Sequence, residues 1–336
     1  MINCEHKPVL LNEVLETFDY LTDRADPIFV DGTVGMAGHS LAIAKQCQMS
    51  DVRCQILGID KDEAALKSAK LKVKSLKLEA IFTFIHDDFK NYENIIQSMN
   101  IDPSTQPNGS PSGLRAGHVD GVLLDLGVSS LQLDDKSRGF SFQDIKQPLD
   151  MRMDQSQIKT AANILNSYSI TCLIEILKRG EERQAKIIAY NVAQFRKNKK
   201  ISTVSDLLEI LEKSIPLKTQ KTAKTHYSTA TFRALRIEVN DELNNLEQTI
   251  MYIVKSLKPS SRFSIITFHS LEDRIVKQTF KNLANPCTCP PKLPYCVCGK
   301  KPEIKIITKK PTLPSEQEIN DNHRSRSAKL RVVEKI

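Results

Sequence analysis

The chain has no run of 18 apolar residues, so nothing in its 336 residues would cross a bilayer as one helix. Its opening, Met1-Ile-Asn-Cys-Glu-His-Lys-Pro8, lacks the basic-then-apolar order of a secretory leader, and a cytoplasmic protein with no membrane association is expected. The Gly-x-Gly-x-x-Gly of dinucleotide enzymes is missing where it would be looked for, after the first apolar strand. Eight cysteines are present, yet none sits in a motif that suggests nucleophilic attack.

What is there is an α/β pattern. Hydrophobic residues at 40% and charged residues at 26% suit a globular chain, and the length predicts a main domain plus an insertion. Short apolar runs end on acids: Ile28-Phe-Val-Asp31, Gln55-Ile-Leu-Gly-Ile-Asp60, Ile81–Ile85 before His86-Asp-Asp-Phe89, and Val119–Leu126 carrying Asp125. Helix-forming stretches alternate with them at Ser40–Cys47 and Glu63–Leu78, so a doubly wound parallel sheet is predicted. Val9–Phe18 reads equally as strand or helix start. Ile101–Gly117, rich in Pro, Ser, Gly, Asn and Gln, reads as a flexible surface loop. Ala161–Pro216 is helical throughout, and the sheet resumes after the helix Glu242–Ser256, with strands at Arg262–Phe268 and Ala328–Val333 around a helix Leu271–Leu283. The predicted division is a core in two parts, 1–135 and 226–336, interrupted by a helical insertion, 136–225.

Charge is regional. From Lys178 to Arg236 there are fourteen Lys/Arg against five Asp/Glu, a net +9 beside +8 for the whole chain. Such a run is either a solvated helical face or a surface that meets phosphates; the grouping of Arg196–Lys200 with Lys218, Lys221 and Lys224 favours a polyanion.

The loop Gly32-x-x-Gly35-x-x-Gly38 allows close backbone approach to a ligand, and the helix after it offers N–H groups. Asp60 reads either as a solvated acid at a strand end or as an acid that accepts from two ribose hydroxyls. Phe89 reads either as a ring against adenine or as a core side chain. S-adenosylmethionine, with a ribose and adenine but no pyrophosphate, fits this set better than NAD. Asp125 ends the fourth strand, where transferred-group chemistry is placed, and with Ser129 or Ser130 is expected at the target. His269 faces the cleft or caps the helix that follows it.

These residues fall into longer motifs: Phe29–Ser40, Asp125-Leu-Gly-Val-Ser-Ser130 with Gln132-Leu-Asp134, Arg138-Gly-Phe-Ser-Phe142, Pro148-Leu-Asp-Met-Arg-Met-Asp154 and Phe268-His-Ser-Leu-Glu-Asp-Arg274. Gly180-Glu-Glu-Arg183, Thr231–Arg236 with Val239-Asn240, and Arg324-Ser-Arg-Ser327 extend the set. Together, over almost the whole chain, they resemble the MraW family of small-subunit ribosomal RNA methyltransferases. The resemblance implies a class I methyltransferase sheet interrupted by a helical domain. It implies methylation of the exocyclic N4 amine of one cytidine in the decoding region of 16S rRNA, within the small ribosomal subunit. It also implies that Ala37, Gly38 and His39 lie along the cofactor, that Asp60 binds its ribose, and that Phe89, Asp125 and Gln132 complete the pocket. The Asp/Asn-Pro-Pro-Tyr signature of amine methyltransferases is absent, so the acceptor atom rests on the resemblance alone. The basic insertion and the Arg/Lys-rich tail would hold RNA while the target base leaves its stack.

Cys287-x-Cys289 and Cys296-x-Cys298 crowd four thiols into the loop 287–298, a set that either binds zinc or serves no metal; disulfides do not suit a reducing cytoplasm. Cys4, Cys47, Cys54 and Cys172 read as packing residues. Two rivals stay open, an NAD-dependent dehydrogenase and a non-catalytic RNA-binding assembly factor. The oligomeric state stays open too, a homodimer included.

Overall fold

β-Branched and aromatic residues bracketed by turn formers become strands, and seven of these pair into one sheet: β1 (Ile28–Asp31), β2 (Gln55–Asp60), β3 (Phe82–His86), β4 (Val119–Asp125), β5 (Leu257–Thr267), β6 (Ile304–Ile306) and β7 (Lys329–Lys335). A computed structural model describes residues 7–99, 119–142, 145–222, 226–290, 295 and 297–336. The expected loop Ile101–Gly117, and Cys4, His6, Lys224 and Cys296, lie outside the described residues. The strand order is β3-β2-β1-β4-β5-β7-β6. β1 to β5 run parallel, β7 is antiparallel to β5, and β6 is antiparallel to β7. This is the doubly wound sheet the pattern predicts.

Both faces of the sheet are buried, which is why its strands read as near-continuous apolar runs. Phe29, Ile56, Leu123, Ile266 and Val332 share one apolar cluster with Val14, Leu41 and Leu66 from the helices Leu11–Thr17, Gly38–Met49 and Glu63–Ser75. Their neighbours Val30, Leu57, Val122, Ile265 and Val333 share another with Ile95, Ile250 and Phe280 from Tyr92–Ser98, Leu246–Ser256 and Ser270–Ala284. The alternation is the period of two that a pleated strand imposes. Because β1 to β5 are parallel, their C-terminal ends, and the acids on them, emerge on one edge.

Several elements differ from the sequence reading: the helix expected over Glu242–Ser256 begins at Leu246, and the helix Tyr92–Ser98 was not expected. Val9–Phe18 resolves to the helix Leu11–Thr17. β5 starts at Leu257, well before the predicted Arg262, because its pairing with β4 jumps from Val119↔Leu257 to Gly121↔Arg262 and loops out the Pro-Ser-Ser turn between them. β6 was not predicted: three residues, two of them apolar, set among lysines and a proline carry no strand signature, and pairing with β7 creates it.

The chain divides into two compact units, Met1–Gly127 with Asn245–Ile336, and Val128–Asn244. The helical unit is therefore wider than the predicted 136–225. Helix Thr229–Asn240 drives Phe232, Leu235 and Val239 into the helical core, and Val128 and Leu133 pack on that core from the other end of the segment. The core also takes Leu173 and Leu177 of Ile170–Arg179, Ile188 and Val192 of Ala185–Asn198, and Leu207 and Ile210 of Val204–Ser214. No helix among the described residues is long and apolar enough to cross a membrane.

Within this unit the motif residues Arg138, Asp150, Arg152 and Met153 are held by side-chain bonds to backbone and to one another. The Arg138 guanidinium, buried, donates to the carbonyls of Arg152 at 2.8 Å and Met153 at 2.9 Å. Arg152 forms a two-pronged pair with Asp150 at 2.8 and 2.7 Å. Asn240 accepts from the Met153 N–H and donates to the Met151 carbonyl, both at 2.7 Å. These side chains satisfy backbone groups that no sheet or helix would, so the sequence motif encodes a scaffold here.

Candidate active site

The loop leaving β1 is stitched to the strands on either side of it. Gly32 N–H donates to the Leu123 carbonyl and Val34 N–H to the Ile59 carbonyl, each at 2.9 Å. Asp125 N–H donates to Thr33 Oγ1 at 2.6 Å, and Gly35 N–H to Asp60 Oδ2 at 2.8 Å. Gly35 holds φ +49, a left-handed conformation that glycine takes without a Cβ penalty. Three strand ends are thus tied through one short loop.

Asp31 is buried; its Oδ2 accepts from Ser40 Oγ at 2.5 Å and its Oδ1 from Thr33 N–H at 3.2 Å. Burial pushes its carboxyl up to about 6, against those two hydrogen bonds, with the charge of Asp60 adding to the rise. Asp60, half-buried, is likewise pushed up to about 6 by burial, against the N–H groups of Asp62 and Gly35. Its Oδ1 accepts from Asp62 N–H at 2.9 Å and its Oδ2 from Gly35. Each oxygen keeps a second lone pair, so the carboxylate has room for the two hydroxyls of a ribose.

Asp125 carries the least satisfied carboxyl of the three. Its Oδ1 is enclosed with no hydrogen-bond partner, while 26% of the side chain is exposed, which leaves Oδ2 as the oxygen open to a ligand. Burial, then the charges of Asp31 and Glu272, raise its proton affinity well above the ordinary carboxylate range. His39 stands 4.0 Å away from Oδ2 through Nδ1, with its Nε2 2.9 Å from the Val9 carbonyl. A carbonyl only accepts, so His39 Nε2 carries a proton and donates it to Val9. Thr33 and Ser40, which hold this group together, escaped the sequence reading; their only signal was a hydroxyl two and nine residues after Asp31.

Two of the loop glycines are pressed by neighbouring side chains. A Cβ on Gly38 would lie 2.6 Å from Pro8 Cγ, and one on Gly32 2.4 Å from Leu124 Cδ2. Protein packs on both, so neither position tolerates a side chain. Ala37, at φ 59, is the residue before the helix Gly38–Met49 and is fully buried. Phe89, half-buried after β3, packs on the second sheet cluster, with its Cβ 3.4 Å from the position a Gly32 side chain would take.

His269 caps the helix Ser270–Ala284. Its Nδ1 accepts from Glu272 N–H at 3.4 Å, its Nε2 lies 3.0 Å from Glu272 Oε1, and Glu272 Oε2 accepts from Phe268 N–H at 3.0 Å. Of the two sequence readings, the ring takes the capping one. Ser129, Ser130 and Gln132 belong to the helical unit, where Ser129 and Gln132 cap one another: Gln132 N–H to Ser129 Oγ at 3.3 Å and Ser129 N–H to Gln132 Oε1 at 3.0 Å. Ser130 is the first residue of the helix they cap.

In the helical unit the positive charge sorts into two kinds. Arg196 donates to the carbonyls of Leu165 and Tyr168 at 2.8 and 2.7 Å, Lys199 pairs with Asp206 at 2.6 Å, and Arg236 pairs with Glu242 at 2.8 Å. These hold the fold. Lys186, Tyr190 and Lys197 stand exposed at helical spacing on one side of Ala185–Asn198, beside exposed Ile187, and Lys218 and Lys221 are exposed on Leu217–Thr222. An aromatic ring between lysines is a surface suited to nucleic acid.

Against known proteins, the family model described as the MraW methylase family matches residues 3–336. A protein of Lachnospira eligens named ribosomal RNA small subunit methyltransferase H is 45% identical over 99% of this chain and 98% of its own length. One of the same name from Finegoldia magna is 45% identical over 99% of both chains. The crystal structure of an rRNA methylase from Streptococcus thermophilus aligns over 96% of both chains at 12% identity and a TM-score of 0.38, too low to carry the assignment. On the full-length match and the sheet it folds into, this chain belongs to the MraW methylase family and is a methyltransferase of class I fold.

Proposed function

We propose that this methyltransferase places a methyl group from S-adenosylmethionine on the exocyclic N4 amine of one cytidine in the decoding region of 16S rRNA, within the small ribosomal subunit and in the cytoplasm. When bound, S-adenosylmethionine supplies an electrophilic methyl group on a sulfonium. The observation that carries the reading is the carboxylate row at adjoining strand ends: Asp60 with two oxygens each holding one lone pair in reserve, and Asp125 with Oδ2 open to a ligand.

In this reading Asp60 accepts the ribose hydroxyls, and the helix start at Ala37, Gly38 and His39 borders the amino-acid part of the donor. Phe89 offers its ring to adenine. Asp31 supports the loop through Ser40 and Thr33 and does not touch the donor.

A cytosine amine is a poor nucleophile because its lone pair is drawn into the ring, so the protein has to turn and polarise it. Asp125 Oδ2 accepts one N–H of the amine and holds its lone pair toward the methyl. A carboxylate with raised proton affinity is also a better acceptor for the proton that the amine sheds than an ordinary one. Ser129 and Gln132 serve as the cap pair of their helix, and His269 fixes the turn after β5. The exposed Lys186, Tyr190 and Lys197 face of the helical unit holds the RNA.

The test is transfer of a labelled methyl group to small subunits and to naked 16S rRNA, followed by nucleoside mass spectrometry. The expected product is N4-methylcytidine at one position. No incorporation into either substrate, or label on a different base atom, overturns the reading.

A further inference from the structure

Three thiols converge in the segment that follows the helix His269 caps. Cys287, Cys289 and Cys298 have their sulfur atoms within 4.8 Å of one another, and Cys287 Sγ to Cys298 Sγ is 3.9 Å. They sit in the segment joining helix Ser270–Ala284 to β6, and among its described residues from Asn285 to Pro302 none is buried. Hydrophobic packing therefore does not bring these side chains together. Exposed thiols are ordinarily dispersed, because clustering them invites oxidation.

We infer that this cluster is a structural zinc site, with Cys287, Cys289 and Cys298 as thiolate ligands. Two observations carry it. A tetrahedral zinc with sulfur at ~2.3 Å spaces its ligand sulfurs at ~3.8 Å, the separation seen between Cys287 and Cys298, whereas a disulfide needs ~2.05 Å. The backbone N–H of Val297 donates to Cys289 Sγ at 3.3 Å, a contact that stabilises a thiolate and is the usual outer support of a metal-bound sulfur. Three soft sulfur donors select zinc over magnesium or calcium, which take oxygen. Bound there, the ion fastens the end of the helix to β6, a three-residue edge strand that enters the sheet core through Ile304.

The experiment uses the full chain purified without chelator under reducing conditions, with metal content by plasma mass spectrometry. About one zinc per chain is expected, falling at least about tenfold in Cys287→Ser and Cys298→Ser and unchanged in Cys172→Ser, an exposed cysteine of the helical unit. Far-ultraviolet dichroism of the variants checks that the sheet is retained. As a second readout, chelation of the wild-type protein is expected to speed tryptic cleavage after exposed Lys300 at least about tenfold, reversed by added zinc. Under a tenth of an equivalent after dialysis against zinc, iron in its place, a Cys287–Cys298 disulfide by intact mass, or zinc retained in both serine variants each overturns the assignment.

Discussion

The backbone N–H of Gly35 donates to Asp60 Oδ2 over 2.8 Å, so the carboxylate proposed to read the ribose also anchors the loop beneath the donor. Burial sets its carboxyl at about 6, against the Asp62 and Gly35 N–H groups and the charge of Lys61. The ionised form is the one that accepts two hydroxyls. Donor affinity, measured by calorimetry, is therefore expected to be flat above about pH 7 and to weaken by up to about tenfold per unit below about pH 6. Asp60→Asn should weaken binding about tenfold or more and flatten the acid limb. Equal affinity for wild type at about pH 5 and pH 7.5 would exclude this role for Asp60.

Asp31 and Asp60 also predict how the ligand-free protein responds to acid. Their folded values, about 6, lie above the ordinary aspartate value of 3.8, so between those limits the native state holds protons that the unfolded chain has released. Stability from these groups falls as pH rises through that window and increases as pH is lowered. The melting temperature without ligand should rise on going from about pH 7 to about pH 5, and Asp31→Asn, which keeps an acceptor for Ser40, should shrink that rise. A melting temperature that drops across the same interval in wild type and variant alike would remove the argument.

Asp125 separates binding from chemistry. Its Oδ1 is enclosed without a partner, and its Oδ2 faces His39 Nδ1 at 4.0 Å. Asp125→Ala removes the oxygen that turns the amine while leaving Asp60 and its loop bonds in place. Turnover should fall about 100-fold or more with donor affinity changed less than about threefold, and Asp125→Asn, which keeps one acceptor oxygen, should lose less. Full turnover in Asp125→Ala under single-turnover conditions would send the amine contact elsewhere.

How far these features could be read in the sequence depended on what produced them. β1 and β2 have the predicted limits because local apolar runs and acidic ends define them. β6 is made by its partner, and the β5 bulge by a register shift, neither of which leaves a periodic trace. At the site, Asp31, Asp60 and Asp125 were visible as strand ends, since parallel strands deliver such residues to one edge. The hydroxyls of Thr33 and Ser40 were not, because their value lies in which acid they meet. The glycines of the first loop carry a further constraint that their spacing does not show: a side chain on Gly38 would strike Pro8, and one on Gly32 would strike Leu124. The charge count of the insertion likewise could not separate Arg196, spent on two carbonyls, from Lys197, exposed one residue later.

That last distinction gives a prediction in which neighbouring cations behave differently. Lys186 and Lys197 are exposed and would neutralise phosphates, so each substitution by alanine should flatten the slope of log affinity against log salt by about 0.7 to 0.9. Tyr190, exposed between them, would stack on a base; Tyr190→Ala should cost about 1–3 kcal/mol of RNA affinity and leave the slope unchanged. Arg196→Ala should instead lower the melting temperature, because the carbonyls of Leu165 and Tyr168 lose their shared donor, with little effect on the slope. Filter binding of 16S rRNA across a salt series reads all four. If Arg196→Ala flattened the slope as much as Lys197→Ala, or if wild-type affinity did not depend on salt, this face of the helix would not be where the RNA lies.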